Sequence, residues 1–372
     1  MEKAKVFWTD FRTSLDENLL QKLVRLIKKA GIEHIDFTEK FTAIKLHFGE
    51  PGNLAYLRPQ YARTIADFIA SKGGKPFLTD CNTLYVGMRK NALDHLSAAF
   101  LNGFYPAAVN CNVLIGDGLK GTDEVEVPLP EGELIKSAKI GRAIMDADIV
   151  ISLNHFKLHE LTGFGGAIKN LGMGSASRAG KMEQHAAGKP SVAQDKCIGC
   201  GHCAKECGQN AITFEQRPQG KRVAYINHAI CVGCGRCIGA CPTDAVQPQW
   251  DSTNTDLCKK MGEYAFAVVK GRPQFHITLV CDVSPCCDCH AENDAPLIQD
   301  IGMFASFDAV AIDKAAADLA NQQPTLPGTI LDSKPKGKDL FTTVHPTTDW
   351  LAQLTQAEKM GMGTIDYELI RI

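Results

Sequence analysis

The sequence has no surplus of charge of either sign. Its 40 Lys and Arg stand against 42 Asp and Glu, which leaves no basic footprint for nucleic acid or an anionic membrane. No apolar run approaches the roughly 18 residues that a membrane helix needs. The opening residues, MEKAKVFWTDF, lack the apolar stretch of an export signal. These absences point to a cytoplasmic protein with neither nucleic acid nor membrane as partner. A Walker A loop is missing too. The glycine-rich stretch LTGFGGAIKNLGMG has no closing Gly-Lys-Ser/Thr and no G-x-G-x-x-G dinucleotide spacing.

What is abundant is cysteine, 15 in 372 residues. Eight lie between Cys197 and Cys241, four more between Cys281 and Cys289, and Cys81, Cys111 and Cys258 stand alone. A disulfide framework belongs to small exported chains, so these read as thiolates in a reducing compartment. The three isolated ones read as inert buried residues.

Composition divides the chain into three. In residues 1–190 the strands FTAIKLHF, KPFLTD, VLIGD and DIVISLN alternate with helical patterns, notably PQYARTIADFIASKGG and the stretch around RKNALDHLSAAFLNG. In the first of these, Tyr61, Ile65, Phe68 and Ile69 share a face and Gly73-Gly74 is the stop. Residues 191–250 are rich in Cys and Gly, and AITFE and RVAYI flank a hairpin turn at Arg217-Pro218-Gln219-Gly220. Residues 251–372 bring back a strand, FHITLV, a helix in FDAVAIDKAAADLANQ, a second in TTDWLAQLTQAEKM, and an edge strand in DYELIRI. The pattern predicts an α/β fold with a mostly parallel sheet, interrupted by a small α+β ferredoxin-like 2[4Fe–4S] domain. Two α/β domains flanking that insert are the alternative.

The insert carries the most specific signal. Cys197, Cys200, Cys203 and Cys207 form C-x2-C-x2-C-x3-C, and Cys231, Cys234, Cys237 and Cys241 repeat it. In this spacing the fourth Cys of each run ligates the other cluster. One cubane thus takes Cys197, Cys200, Cys203 and Cys241, the other Cys231, Cys234, Cys237 and Cys207. Gly199, Gly201, Gly233 and Gly235 let the backbone approach the inorganic sulfides. Structural zinc is the competing use of four thiolates, but it favours paired C-x2-C units further apart. Gly208 stands where a proline usually follows the first run.

Outside the insert, polar residues gather where strands end. Ile44, Leu46 and Phe48 share one face of their strand, leaving Lys45 and His47 on the other. KPFLTD ends at Asp80, followed by Asn82, VLIGD at Asp117, and DIVISLN runs into His155, Lys157 and His159. Ligands of open α/β sheets bind at such carboxyl ends, although Asp and Asn also serve as plain caps. Gly163, Gly165 and Gly166 precede a helix bearing Lys169, which suits an anion at the helix N-terminus. Tight packing is the other use of such glycines. Arg178, Lys181 and His185 extend the basic wall. After FHITLV comes CDVSPCCDCH, in which Cys287 and Cys289, with Cys281, Cys286 and His290 near, suggest a third metal or iron–sulfur centre completed by His155, His159 or His185. A redox-active thiol pair and plain structural cysteines are the alternatives.

The motifs KLHFGEPGN, LTDCNTLY, GDGLKG, HFKLHELTGFGGAIKNLGMG, the double cysteine run, CDCH and DIGMFASFDAVAIDKAA resemble the iron–sulfur proteins of domain of unknown function 362, across nearly the whole chain. Cys81 stands where that family suggests Thr, and Ser175 where Cys is common, so neither is taken as a ligand. The resemblance implies an oxygen-sensitive cytoplasmic protein of anaerobes. Gly165-Gly166, Lys169 and His185 are locally similar to nickel-pincer lactate racemases, which implies a site near Lys169 and His185. The expected function is electron transfer. Two [4Fe–4S] clusters, charged by a ferredoxin-like redox partner, would relay low-potential electrons to a substrate or third metal centre. That crevice would be lined by Lys45, His47, His155, Lys157, His159, Lys169 and His185, with the lysines fixing a small anionic substrate and a histidine moving protons near neutral pH. An electron carrier without its own substrate, and a metal- or cluster-handling accessory protein, are the alternatives.

Overall fold

A computed structural model describes residues 3–84, 87–186, 188–217, 220–335 and 337–372. The core is one eight-stranded sheet. In spatial order its strands are Tyr367–Arg371, Ala4–Thr9, Gly302–Ser306, Gln274–Val280, Ile149–His155, Phe41–Lys45, Lys75–Asp80 and Asn112–Ile115. Gly302–Ser306 alone runs against the rest, antiparallel to both of its neighbours. The protein is therefore α/β with a mostly parallel sheet. Its strands come from both sides of the cysteine-rich segment.

Strand alternation places the helices. Ile149, Ile151 and Leu153 pack into one apolar cluster with helices Leu19–Lys29 and Pro59–Ser71, whereas Val150 points to the opposite cluster. That opposite layer holds Ala167–Ser175, Asn254–Val269, Ala309–Gln322 and Trp350–Lys359. Burying both sheet faces calls for this sandwich. Ile44, Leu46 and Phe48 face the first cluster as their alternation requires. Toward the carboxyl ends, the second face turns polar. Lys45 lies level with Ser152, and Thr278 with Asn154. Among the described residues, no helix is long and apolar enough to cross a membrane.

The cysteine-rich segment has thin secondary structure. Hairpin strands Ile212–Gln216 and Arg222–Ile226 pair, although turn residues Pro218 and Gln219 lie outside the described residues. Pro190–Val192 pairs with Val246–Pro248. The two halves fold alike. In each, two glycines at positive φ (65° and 87° at Gly199 and Gly201, 73° and 68° at Gly233 and Gly235) lead into a short helix, His202–Lys205 or Arg236–Ala240. A Cβ at Gly199 or Gly233 would also collide with a backbone carbonyl, that of Arg222 or Gly188.

Candidate functional site

From Phe41–Lys45 the sheet grows outward to Lys75–Asp80 and Asn112–Ile115. It then returns to place Ile149–His155 on the other side of Phe41–Lys45. Winding reverses between those two strands, and open α/β sheets form their crevice at such a point. A cavity of about 50 Å³ lies there, walled by His47, Asp80, Arg89, Lys157, Lys169 and Lys181 among others.

Several buried charges in and behind the wall are paired. Lys45 Nζ lies 2.9 Å from Asp80 Oδ1 and donates to Asn170 Oδ1 at 2.8 Å. Burial lowers the pKa of Lys45 in spite of its carboxylate. For Asp80, burial pushes upward, but Lys45 and His95 outweigh it and hold the carboxylate below its usual value. The Asn170 amide donates to the Lys45 carbonyl and to Asn154 Oδ1, each at 2.8 Å, which pins helix Ala167–Ser175 onto the sheet. Arg89 Nε meets Glu50 Oε2 at 2.7 Å.

Asp288 is the hub of the far wall. Fully buried, it accepts His155 Nδ1 and Lys157 Nζ, each at 2.9 Å. Burial opposes its ionisation, but those two partners prevail and hold it far below the usual carboxylate range. His155 Nε2 meets the Cys281 carbonyl at 2.8 Å, so both of its ring nitrogens face oxygen acceptors. His47 is the inverse. The Gly49 amide donates to its Nδ1 at 2.9 Å and Arg89 Nη1 lies 3.0 Å from its Nε2. Burial and then Arg89 drive the His47 pKa well down.

Beside this hub the chain makes a turn closed by the His290 amide on the Cys287 carbonyl at 2.9 Å. Cys287, Cys289 and His159 bring a sulfur or ring nitrogen each to within 4.8 Å of one another. Cys287 is pushed up to about 12 by its hydrogen bond to Cys289 and then by burial. The same bond, helped by Lys169, lowers Cys289. Lys169 Nζ lies 3.5 Å from Cys287 Sγ. Burial works against its charge, yet the two thiols outweigh burial and raise its pKa. Cys281 packs at the fringe of the first apolar cluster instead, and Cys286 is partly exposed.

The ring of His159 limits what this trio can hold. Its Nδ1 accepts the amides of Leu161 at 3.1 Å and Thr162 at 3.3 Å. Burial pushes its pKa down to about 4, so the neutral ring carries its hydrogen on Nε2. Neither nitrogen keeps a free lone pair for a metal while those amides stay in place. His159 and His185 lie outside the cavity wall, and so does Lys45, which sits behind it. His185 stacks edge-on with Trp250 at 4.8 Å and is pushed down to about 3 by burial. A proton shuttle near neutral pH therefore does not follow for either ring.

One expectation changes outright. The helix that starts at Ala167 is already capped by an internal carboxyl group, which burial pushes up to about 7. Buried Asp313 accepts the amides of Ala167 at 2.6 Å and Ile168 at 2.9 Å. Gly166 leaves room for that carboxylate, and Gly165 for the stems of Lys157 and Lys169. These glycines serve packing, and the helix N-terminus is taken. Asp288, Asp313, Asn170 and Arg89 are absent from the residues that the sequence points to one by one. Asp288, Asn170 and Asp313 do lie inside the motifs CDCH, HFKLHELTGFGGAIKNLGMG and DIGMFASFDAVAIDKAA, whereas Arg89 has no such signal.

The cysteine-rich segment groups its thiols across the repeat. Burial raises the Cys203 thiol, and the thiols acting on it are Cys241, Cys197 and Cys200. Cys237 is pushed up to about 12 by burial, with Cys234, Cys231, Cys203 and Cys207 adding to it. The Ala224 amide donates to Cys197 Sγ at 3.4 Å and the Ala211 amide to Cys207 Sγ at 3.3 Å. Among the described residues, no three of these eight thiols lie within 4.8 Å of one another. A tetrahedral thiolate zinc site, with bonds of ~2.3 Å, would draw its sulfurs to ~3.8 Å.

Helix Arg178–His185 joins segment and cavity. Arg178 lies on Gly235 and Gly239, so a side chain at either glycine would meet it. Met182 is buried with Cys237 and Ile238. Lys181, from the same helix, reaches the cavity wall. Residues 81–84 and 87–90 do likewise, since Leu84 joins the thiol cluster and Lys90 pairs with Asp244, while Thr83 and Arg89 line the cavity.

No curated protein matches the chain. Among solved structures, it is similar to the lactate racemase apoprotein of Thermoanaerobacterium thermosaccharolyticum. The two share 12% identity over 74% of this chain and 51% of that one, with a TM-score of 0.36. A crystal structure of a Thermotoga maritima protein gives 13% identity over 84% of this chain and 60% of that one, with a TM-score of 0.43. The chain spans between half and three fifths of those two proteins, and likenesses so distant carry no chemistry across. A family model, described as Domain of unknown function (DUF362), matches residues 42–318. That is well over half of the sequence, and the chain belongs to the DUF362 family.

Proposed function

We propose that this is an iron–sulfur electron-transfer protein, its two [4Fe–4S] clusters passing low-potential electrons from a redox partner protein toward the cavity. Cys197, Cys200, Cys203 and Cys241 would hold one cluster, and Cys231, Cys234, Cys237 and Cys207 the other. When bound, such clusters supply one-electron transfer. The residues fit the group. The donors are eight soft thiolates, thiols of the two runs act on one another across the repeat, and positive-φ glycines keep the loops clear of side chains. The observation that carries the relay is helix Arg178–His185, whose Arg178 and Met182 meet the thiol segment while Lys181 meets the cavity.

The cavity favours a carrier without an organic substrate of its own. At about 50 Å³ it has room for little more than a water or a small anion, against the roughly 300–1,000 Å³ of ordinary ligand pockets. Lys157, Lys169 and Arg89 would orient such an anion and exclude bulk water.

The test is analysis of iron, sulfide, zinc and nickel in oxygen-free protein, followed by electron paramagnetic resonance after dithionite. Two cubanes' worth of iron and sulfide with reducible signals is the expected result. A colourless, zinc-loaded, magnetically silent preparation overturns the proposal.

A further inference from the structure

We infer that Cys287 and Cys289 form a reversible disulfide, a two-electron store at the cavity that receives electrons one at a time. The inference rests on the proposed relay for its reductant, and on geometry for the pair itself.

Cys287 opens the turn closed by His290, with Asp288 and Cys289 at its centre. A β-turn holds its first and fourth Cα atoms within about 7 Å, and the first and third are closer still. A disulfide spans Cα separations of roughly 4.4–6.8 Å. The two sulfurs already lie within 4.8 Å, so rotation about the side-chain bonds can bring them to bonding distance. The backbone between them cannot drift, because Asp288 is tied to His155 and Lys157. Such a short ring is strained, and strained disulfides are the readily reduced ones.

The surroundings suit a thiol pair better than a metal. Lys169 Nζ stands 3.5 Å from Cys287 Sγ and can balance one thiolate. His159, the third member of the trio, has its Nδ1 lone pair engaged by two amides. Cys287 is fully buried and Cys289 only partly so, so external reagents meet the pair at Cys289. In the reductive direction, two electrons and one solvent proton break the S–S bond. The products are a thiol at Cys287 and a thiolate at Cys289, with the Lys169 ammonium balancing the charge. The two clusters that the cysteine runs would hold would supply these electrons, one each, and a low-potential one-electron carrier protein would replace them.

The test uses oxygen-free holoprotein, with iron and sulfide content measured alongside. After exposure to the two-electron thiol oxidant diamide, the sample is acid-quenched, its free thiols are alkylated, and Cys281, Cys286, Cys287 and Cys289 are read separately by mass spectrometry. The expected result is that Cys287 and Cys289 escape alkylation together as a pair two hydrogens lighter. Dithionite then restores both thiols, at least 10-fold more slowly in a Cys203→Ser variant, while dithiothreitol restores them equally in both proteins. Cys286→Ser leaves the mass change intact. Full alkylation of Cys287 and Cys289 while the cluster signals are normal overturns the inference. So does a metal ion, one per chain, that is lost in Cys287→Ser. A pair that cycles with dithiothreitol in protein devoid of iron and sulfide supports the disulfide and overturns the relay instead.

Discussion

The cysteine-rich segment and the cavity both gather thiols, but they hold them by different means. In the segment, a small apolar cluster built on Ile212, Ile226, Ile238 and Val246 must borrow Leu84 and Met182 from the α/β body. Its loops are shaped by glycines at positive φ. At the cavity, Cys287 and Cys289 ride on a turn fixed by buried ion pairs, at the edge of a sheet covered on both faces. The difference teaches which part depends on what it binds. Thiols on a thin framework need their ligand for structure, whereas thiols on a braced turn are positioned before any chemistry begins.

The sharpest way to break that comparison is to strip the clusters proposed for the segment. Oxidative treatment with an iron chelator should abolish hydrogen-exchange protection across residues 197–246 while strands Ile149–His155 and Gln274–Val280 stay protected. Uniform loss of protection would show that the segment and the sheet fold as one unit. Next in size, Asp288→Ala removes the buried carboxylate shared by Lys157 and His155. It should cost about 3–5 kcal/mol in urea unfolding, the usual penalty for breaking a buried pair, with the protection of residues 197–246 unchanged. Asp313→Ala removes the acceptor for two amides at the start of Ala167–Ser175 and should cost about 1–2 kcal/mol. A loss below a few tenths would mean that this cap does not hold the helix.

The smallest effect is one of pH. His290 is raised from 6.5 to about 9, first by its hydrogen bond to Glu160 at 3.1 Å. Because the folded value is the higher, the stabilisation is fully present below about 6.5 and fades as pH climbs through about 9. With some two fifths of both side chains exposed, it should amount to no more than about 0.5 kcal/mol after solvent screening. Melting curves of the wild type and Glu160→Gln should differ at pH 6 and converge by pH 10. A gap that persists at pH 10 would rule out this pair as its source.

Much of the fold was legible because its elements are amphipathic or sharply bounded. The face made by Tyr61, Ile65, Phe68 and Ile69, ended by Gly73-Gly74, gave helix Pro59–Ser71. The alternation of DYELIRI gave edge strand Tyr367–Arg371. Helix Asn254–Val269 was not legible. It is buried on nearly every side along its second half, from Met261 to Val269, so no polar stripe marks its period. The strand ends that line the cavity could be read from their polar residues. Their partners could not, since Asp288 lies 133 residues from His155 and Asp313 lies 146 from Ala167. Pairings at that range are set by how the layers stack, and local sequence holds no trace of them. The same long range disguised the glycines at 165 and 166, which read as an anion loop until the resident carboxylate was seen.

Arg178 has a counterpart across the repeat. Its Nη1 is buried and finds no hydrogen-bond acceptor among the described residues, while Asp117, Cys237 and Cys234 act on it. Arg222 lies in the same way against Gly199 and Gly201 of the other loop, its Nε donating to the Gly199 carbonyl at 2.8 Å. Each half of the repeat thus keeps one guanidinium against its glycines, and any anionic centre held by either loop would meet a cation of its own.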